Sequence, residues 1–201
     1  MIPDSDPDLD RRKAALRAKL RQRRRAANAA NGLAIAALAA ERFLAAIPVR
    51  AGQVVAGYWP MEDELDPRPL MLALQQRGTI LLLPGVATQK AQPLVFRRWD
   101  DISTTPPAGR FGIPAPPADA PVLMPDILIV PLVGFDGAGH RLGLGGGFYD
   151  ATLAALRAAG DPVLAVGYAF AVQQVAELPS GPLDERLDWA VTERGALAFE
   201  R

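Results

Sequence analysis

Four of the ten residues from Arg141 to Asp150 (Arg-Leu-Gly-Leu-Gly-Gly-Gly-Phe-Tyr-Asp) are glycine. Glycine weakens the interior of helices and strands and permits positive φ, so the run reads as a loop. The segment after it, Phe148 to Ala159, is rich in alanine and leucine and places Leu153, Leu156 and Ala159 at helical spacing. Upstream, Ile127 to Val130 is a fully apolar run of strand length that ends at Pro131. The loop is therefore a turn into a helix, downstream of a buried strand.

The same alternation recurs. Val54 to Trp59 reads as a buried strand, Pro69 to Gln76 as a helix ending near Gly78, and Thr79 to Leu83 as a second strand closed by Pro84-Gly85. Leu94 to Trp99 and Val163 to Tyr168 are further strand candidates. Two helices are expected near the N-terminus, Asp10 to Ala27 and about Leu33 to Ala46, and residues 1–10 are expected to be disordered. Thr104 to Pro125 is rich in Pro, Ala and Gly and reads as a long surface connection or, as the alternative, a lid. Strands alternating with helices predict an α/β layered fold, a mostly parallel central sheet flanked by helices, in one domain spanning 1–201. Ligands of such folds bind beyond the carboxyl ends of the strands, where the glycine loop lies.

Composition narrows the chemistry. There is no cysteine and one histidine, which removes thiol nucleophiles, disulfides and His-based metal clusters. A metal would need oxygen ligands, which favours magnesium. Twenty-two basic and twenty-two acidic side chains cancel, so no global field draws the chain to nucleic acid or membrane. Arg21 to Arg25 followed by Gly32 to Ala40 only superficially resembles a secretion signal, because acids crowd the first ten positions and Asn28 and Asn31 interrupt the apolar stretch. A cytoplasmic monomer is expected.

The glycines, with their backbone N–H groups and the start of a helix behind them, suit a phosphate. Neither the dinucleotide fingerprint nor the P-loop is present, since Phe148 stands where the first needs glycine and no Gly-Lys-Ser/Thr follows. Lys13, Arg17, Arg21 and Arg24 recur at three- and four-residue spacing and share one helical face, while Leu16 and Leu20 can pack inward. By itself that stripe reads as a solvated basic face. Glu62, Asp63, Glu64 and Asp66 likewise read as acids on a solvated loop, and Asp150 as either a helix-start acid or a metal ligand. His140 reads as a loop residue.

The stretch Asp136-Gly-Ala-Gly-His-Arg-Leu-Gly-Leu-Gly-Gly-Gly-Phe-Tyr-Asp150 closely resembles the signature of the 5-formyltetrahydrofolate cyclo-ligase family. Lys13-Ala-Ala-Leu-Arg17 resembles its N-terminal Lys-x-x-Leu-Arg, and Tyr58-Trp-Pro-Met-Glu-Asp-Glu64 its early strand-to-loop segment. Leu178-Pro179 through Asp184, Leu187-Asp188-Trp189 and Val191-Thr192-Glu193 resemble its C-terminal segment. The matches are collinear. The chain departs from the family pattern at Pro67, Ala115, Phe148, Ala151, Gly181 and Leu183.

The resemblance implies an ATP- and magnesium-dependent closure of 5-formyltetrahydrofolate to 5,10-methenyltetrahydrofolate, releasing ADP and phosphate. It implies ATP binding by Lys13, Arg17, Arg141, Leu142, Gly143, Leu144, Gly145, Gly146, Gly147, Phe148 and Tyr149, with Arg141 and Tyr149 at the chemistry. It further implies magnesium on Asp150 and Asp184, with Asp188 an alternative. The folate would then fall to Met61, Glu64, Trp99 and Tyr149, Glu64 accepting paired hydrogen bonds from the pterin's amino-pyrimidine edge, while Met61 and Trp99 read equally well as core residues. A competing reading is a catalytically inactive relative that binds nucleotide or RNA through the basic stripe.

Overall fold

The computed structural model describes residues 6–85, 89–109, 112–160 and 162–200. The chain opens with α1 (Pro7–Ala46). Asp6 caps it by accepting from the Asp8 amide at 2.9 Å, Pro7 occupies the first turn, and Asp8 and Asp10 face the positive end of its dipole. Within the expected disordered stretch 1–10, Asp6 is the helix cap and Pro7 to Asp10 are helical, which corrects the expectation for these residues; residues 1–5 lie outside the described residues. The two expected N-terminal helices are one span with a break at Asn31, whose φ of −165° and ψ of 43° are non-helical. Asn31-Gly32 pairs two poor helix formers, and the kink falls there.

The remaining elements are β1 (Val54–Ala56), α2 (Arg68–Gln76), β2 (Ile80–Pro84), β3 (Phe96–Arg98), β4 (Ile127–Val130), β5 (Gly134–Phe135), β6 (Arg141–Leu142), α3 (Phe148–Ala158), β7 (Leu164–Tyr168), β8 (Trp189–Thr192) and β9 (Gly195–Ala198). Seven strands form one sheet in the order β3-β2-β1-β4-β7-β8-β9. Its five central strands run parallel and the two edge strands antiparallel, as the α/β expectation requires. The sequence reading misses β8 and β9, because four-residue strands interrupted by Thr192 and Arg194 leave too little alternation. It also misses the β5–β6 hairpin, which stands between β4 and the glycine loop.

Alternation along the strands divides the core into two layers. Val55, Leu81, Ile127 and Val166 face α1 and α2, packing with Phe43, Leu70, Met71 and Leu74, while Ala56, Leu82, Leu128 and Ala165 face Leu153 and Leu156 of α3. Each fully buried large aliphatic side chain contributes about 1.5–3 kcal/mol of transfer free energy. By length and composition part of α1 would be apolar enough to cross a membrane; its Ala36, Ala39, Ala40 and Phe43 lie in the core.

From β1 the chain crosses through α2 to β2 on one side; from β4 it crosses through α3 to β7 on the other. Since β1 and β4 are neighbours, the crossovers diverge between them and open a crevice at their carboxyl ends.

Candidate active site in the crevice between β1 and β4

A cavity of about 450 Å³ occupies that crevice. Tyr58, Trp59, Met61 and Glu64 enter it from the segment after β1, Pro84 and Gly85 from the end of β2, and Pro131 and Leu132 from the end of β4. The whole run Arg141–Asp150 lines it, as do Asp10, Lys13 and Arg17 of α1, Asp184, and Ile113-Pro114.

The first wall is the glycine loop. Gly145 and Gly147 have φ of 97° and 68°, a region that side chains rarely adopt. Gly147 is also the N-cap of α3, with no side-chain cap bond, so the first N–H groups of α3 remain for a ligand. Arg17 Nε donates to the Gly143 carbonyl at 2.9 Å and braces the loop. Arg141, held by the β5–β6 pairing, is buried and donates through Nη2 to Asp150 Oδ1 at 2.5 Å, with its guanidinium 5.9 Å from the centre of the Tyr149 ring. Lys13 Nζ donates to Asp184 Oδ2 at 2.5 Å, and the Gly181 amide donates to the same oxygen at 2.7 Å.

The second wall is the β1 loop. Glu64 is 8% exposed, which overturns its reading as a solvated acid, as it does for Asp63; Glu62 stays exposed. Glu64 Oε2 accepts from the Met61 amide at 3.1 Å. Burial pushes the Glu64 carboxyl above its ordinary value, against the opposing pull of that amide and of Arg24. Burial also pushes the Tyr58 and Tyr149 phenols up, with the Glu64 charge adding to both, so they stay protonated across the physiological range. Met61 is 37% exposed at the mouth. The indole of Trp59 carries the Arg68 guanidinium 5.2 Å from its ring centre.

Most expected residues converge here: Lys13, Arg17, Met61, Glu64, all of Arg141–Asp150, and Asp184. Trp99 does not. Its ring packs on the α1–α2 side of the sheet and its Nε1 donates to the Thr104 carbonyl, because an edge strand past β2 points it away from the crevice. Asp188 also lies elsewhere, accepting from the Ala165 amide at 2.7 Å within the sheet. His140 is structural: its Nδ1 lies 3.0 Å from Asp136 Oδ2, and Asp136 accepts from the Ala138, His140 and Leu178 amides. Burial alone would raise the Asp136 carboxyl; His140 and these amides hold it below the usual range.

Trp59, Ile113 and Pro114 are cavity residues the sequence reading passes over. Trp59 lies inside the Tyr58–Glu64 motif, which is its sequence signal. Ile113-Pro114 come from the middle of the irregular 104–125 connection, where no periodicity marks a residue. That connection therefore reaches the cavity and is more than a surface link.

Asp150 and Asp184 line one cavity, and among the described residues no group of three or more His, Asp or Glu forms a ready metal cage. Two hard oxygen donors beside the glycine loop fit magnesium, which binds through one or two carboxylates plus ligand oxygens and water.

The family profile of the 5-formyltetrahydrofolate cyclo-ligase family matches residues 10–193. The 5-formyltetrahydrofolate cyclo-ligase of Escherichia coli K12 is 36% identical over 177 residues, covering 86% of this chain and 96% of the relative. The Haemophilus influenzae protein of the same name is 34% identical over 139 residues, covering 67% and 72%. The NMR structure of Aquifex aeolicus 5,10-methenyltetrahydrofolate synthetase superposes with a TM-score of 0.75 at 26% identity, covering 94% of this chain and 93% of that one. The Mycoplasma pneumoniae synthetase shares the fold, with a TM-score of 0.70 at 22% identity over 90% and 98% of the two chains. The sheet, the crevice and the glycine signature thus coincide with a match over nearly the whole chain, and the protein belongs to the 5-formyltetrahydrofolate cyclo-ligase family of enzymes.

Proposed function

We propose that this chain, acting as a cytoplasmic, single-domain monomer, converts 5-formyltetrahydrofolate and ATP into 5,10-methenyltetrahydrofolate, ADP and phosphate. The observation that carries the proposal is a single cavity joining a phosphate-type wall (Lys13, Arg17, Arg141 and the N-terminus of α3) to an apolar wall with one buried carboxylate (Met61, Tyr149, Glu64).

A formamide carbon is a poor electrophile, so its oxygen must first become a leaving group. The N5-formyl oxygen attacks the γ-phosphorus of ATP, the bond to the β–γ bridging oxygen breaks, and ADP departs. N10 then attacks the activated carbon, loses its proton, and inorganic phosphate leaves as the five-membered ring closes. Phosphoryl transfer asks the protein mainly for alignment and for cations around the developing charge. Lys13, Arg17 and Arg141 supply the cations. Leu142 to Phe148 wrap the polyphosphate with N–H groups, and Tyr149 sits where the nucleotide and folate sides meet.

Asp150 and Asp184 would hold magnesium, which when bound neutralises phosphate charge. Arg141 and Lys13 neutralise these two acids, so both pairs present charges that ATP and the metal can take up. Glu64 accepts from the pterin's amino-pyrimidine edge, and its burial makes such charged bonds stronger than they would be in water. The alternative of an inactive nucleotide- or RNA-binding relative is less favoured, because the stripe makes contacts within the protein, with Lys13 on Asp184, Arg17 on Gly143, Arg21 on Glu62 and Arg24, buried, on Asp63.

The direct test mixes purified protein with 5-formyltetrahydrofolate, ATP and magnesium and follows the near-ultraviolet absorbance of the methenyl product. Product is expected to form in step with ADP. Folded protein that forms none sinks the proposal.

A further inference from the structure

Arg24 continues the stripe of Lys13 and Arg17 along α1, yet it is 2% exposed and does not line the cavity. Its Nη2 donates to Asp63 Oδ1 at 2.8 Å, and its Nη1 donates to the Leu132 carbonyl at 3.2 Å while standing 3.8 Å from Glu64 Oε1. Asp63 and Glu64 follow β1, whereas Leu132 follows β4. One guanidinium therefore ties together both lips of the crevice and reaches the carboxylate that faces the apolar wall.

Stability does not explain this arrangement. Desolvating a guanidinium and its acids costs several kcal/mol per ion before any attraction returns it, and apolar replacements at such sites are often as stable. The Arg24 Nε is left without a hydrogen-bond partner, a further cost. What the fork does provide is geometry: rigid, planar donors that a single ammonium cannot reproduce. Around Glu64, Asp63 and Glu62 on its own loop repel its charge, the phenols of Tyr58 and Tyr149 stand nearby, and Arg24 is the cation that opposes them. Arg21 and Arg25, by contrast, pair with Glu62 and the outer side of Asp63.

We propose that Arg24 is a positioning residue for folate binding: it holds the Glu64 carboxylate charged and aimed into the cavity without touching either substrate. This rests on Glu64 being the folate-binding acid. Without Arg24, Glu64 is ionised over a narrower range of pH and its loop is released from the end of β4.

The test is a double-mutant cycle of Arg24→Met and Glu64→Gln, reading KM for each substrate and kcat/KM for 5-formyltetrahydrofolate against pH. Arg24→Met is expected to raise the folate KM about 10-fold or more and to leave the ATP KM within about 2-fold. It should also move the low-pH limb of kcat/KM upward by about one unit, the direction required when a cation stabilising a carboxylate is lost. In the Glu64→Gln background, which lacks that limb, Arg24→Met should add less than about 2-fold. Should Arg24→Met not fold, Arg24→Lys keeps a cation for Asp63 and enters the same cycle, with an expected rise in folate KM of about 3-fold.

Fully additive effects, an unmoved limb, or equal losses for ATP and folate overturn the positioning role. A Glu64→Gln protein with normal folate KM overturns the reading of Glu64 itself, and with it the inference; a raised KM in that variant alongside additivity in the cycle overturns Arg24 alone.

Discussion

The glycine-loop wall and the β1-loop wall of the crevice hold their charges in contrasting ways. On the first, Lys13–Asp184 and Arg141–Asp150 are ion pairs at the cavity surface, each acid between 20% and 25% exposed on its side chain. On the second, Glu64 is buried, with its carboxyl pushed up by burial and pulled back by Arg24. Pairs at a cavity surface can exchange partners with a charged ligand, as the proposed binding of ATP and magnesium requires. A buried carboxylate offers a fixed acceptor, and it binds only a ligand that supplies donors in matching positions.

The largest expected effect tests the exchangeable wall. Asp150→Asn keeps an oxygen acceptor for Arg141 but removes the charge, and magnesium-dependent turnover should fall on the order of 100- to 1000-fold with the melting temperature little changed. Unchanged kcat across a magnesium titration would remove Asp150 from metal binding. Glu64→Gln should raise the KM for 5-formyltetrahydrofolate about 10- to 100-fold, the value of a charge-assisted hydrogen bond, while the ATP KM moves by less than about 3-fold. Equal changes for both substrates would erase the distinction between the walls. Arg17→Ala and Lys13→Ala should each raise the ATP KM about 10-fold, and the deficit should shrink as salt weakens the wild-type interaction.

Smaller effects appear in stability. Because the folded-state pKa of Glu64 lies above its ordinary value of 4.5, its protonation contributes stability that is fully present below that pH and lost as pH rises through the folded value. Glu64→Gln should therefore be at least as stable as wild type at pH 7 by denaturant melts, and less dependent on pH as it rises from 4.5. A variant clearly less stable at pH 7 would mean that the buried charge is a net support of the fold. The smallest effect belongs to Trp99→Leu, which should cost about 1 kcal/mol of stability and leave both KM values within about 2-fold. A selective rise in folate KM there would return Trp99 to the site.

Legibility followed the same division. Gly143–Asp150 announced itself because its glycines have no use inside an element, and the strand before it and helix after it are both local patterns. The parallel sheet was readable for the same reason, since β1, α2, β2, β4, α3 and β7 each carry a continuous apolar run or stripe. Trp99 read equally as a site or a core residue because an aromatic residue near a strand end says nothing about which face of the sheet it takes, and the structure packs it on the core side. The short β8 and β9 carry too few residues to show a period, and Ile113-Pro114 sit in a connection without one.

By itself, then, the sequence determined the central β-α-β alternation, the glycine loop and the family resemblance, all of which are written in neighbouring residues and short spacings. Only the tertiary structure decided that Lys13, Arg17 and Arg24, indistinguishable on one helical stripe, have different surroundings. The first two open onto the cavity, and the third is buried against Asp63, Glu64 and Leu132. The reason is physical: helical periodicity fixes which side chains share a face, whereas burial and partners depend on what the rest of the chain packs against each turn of that face.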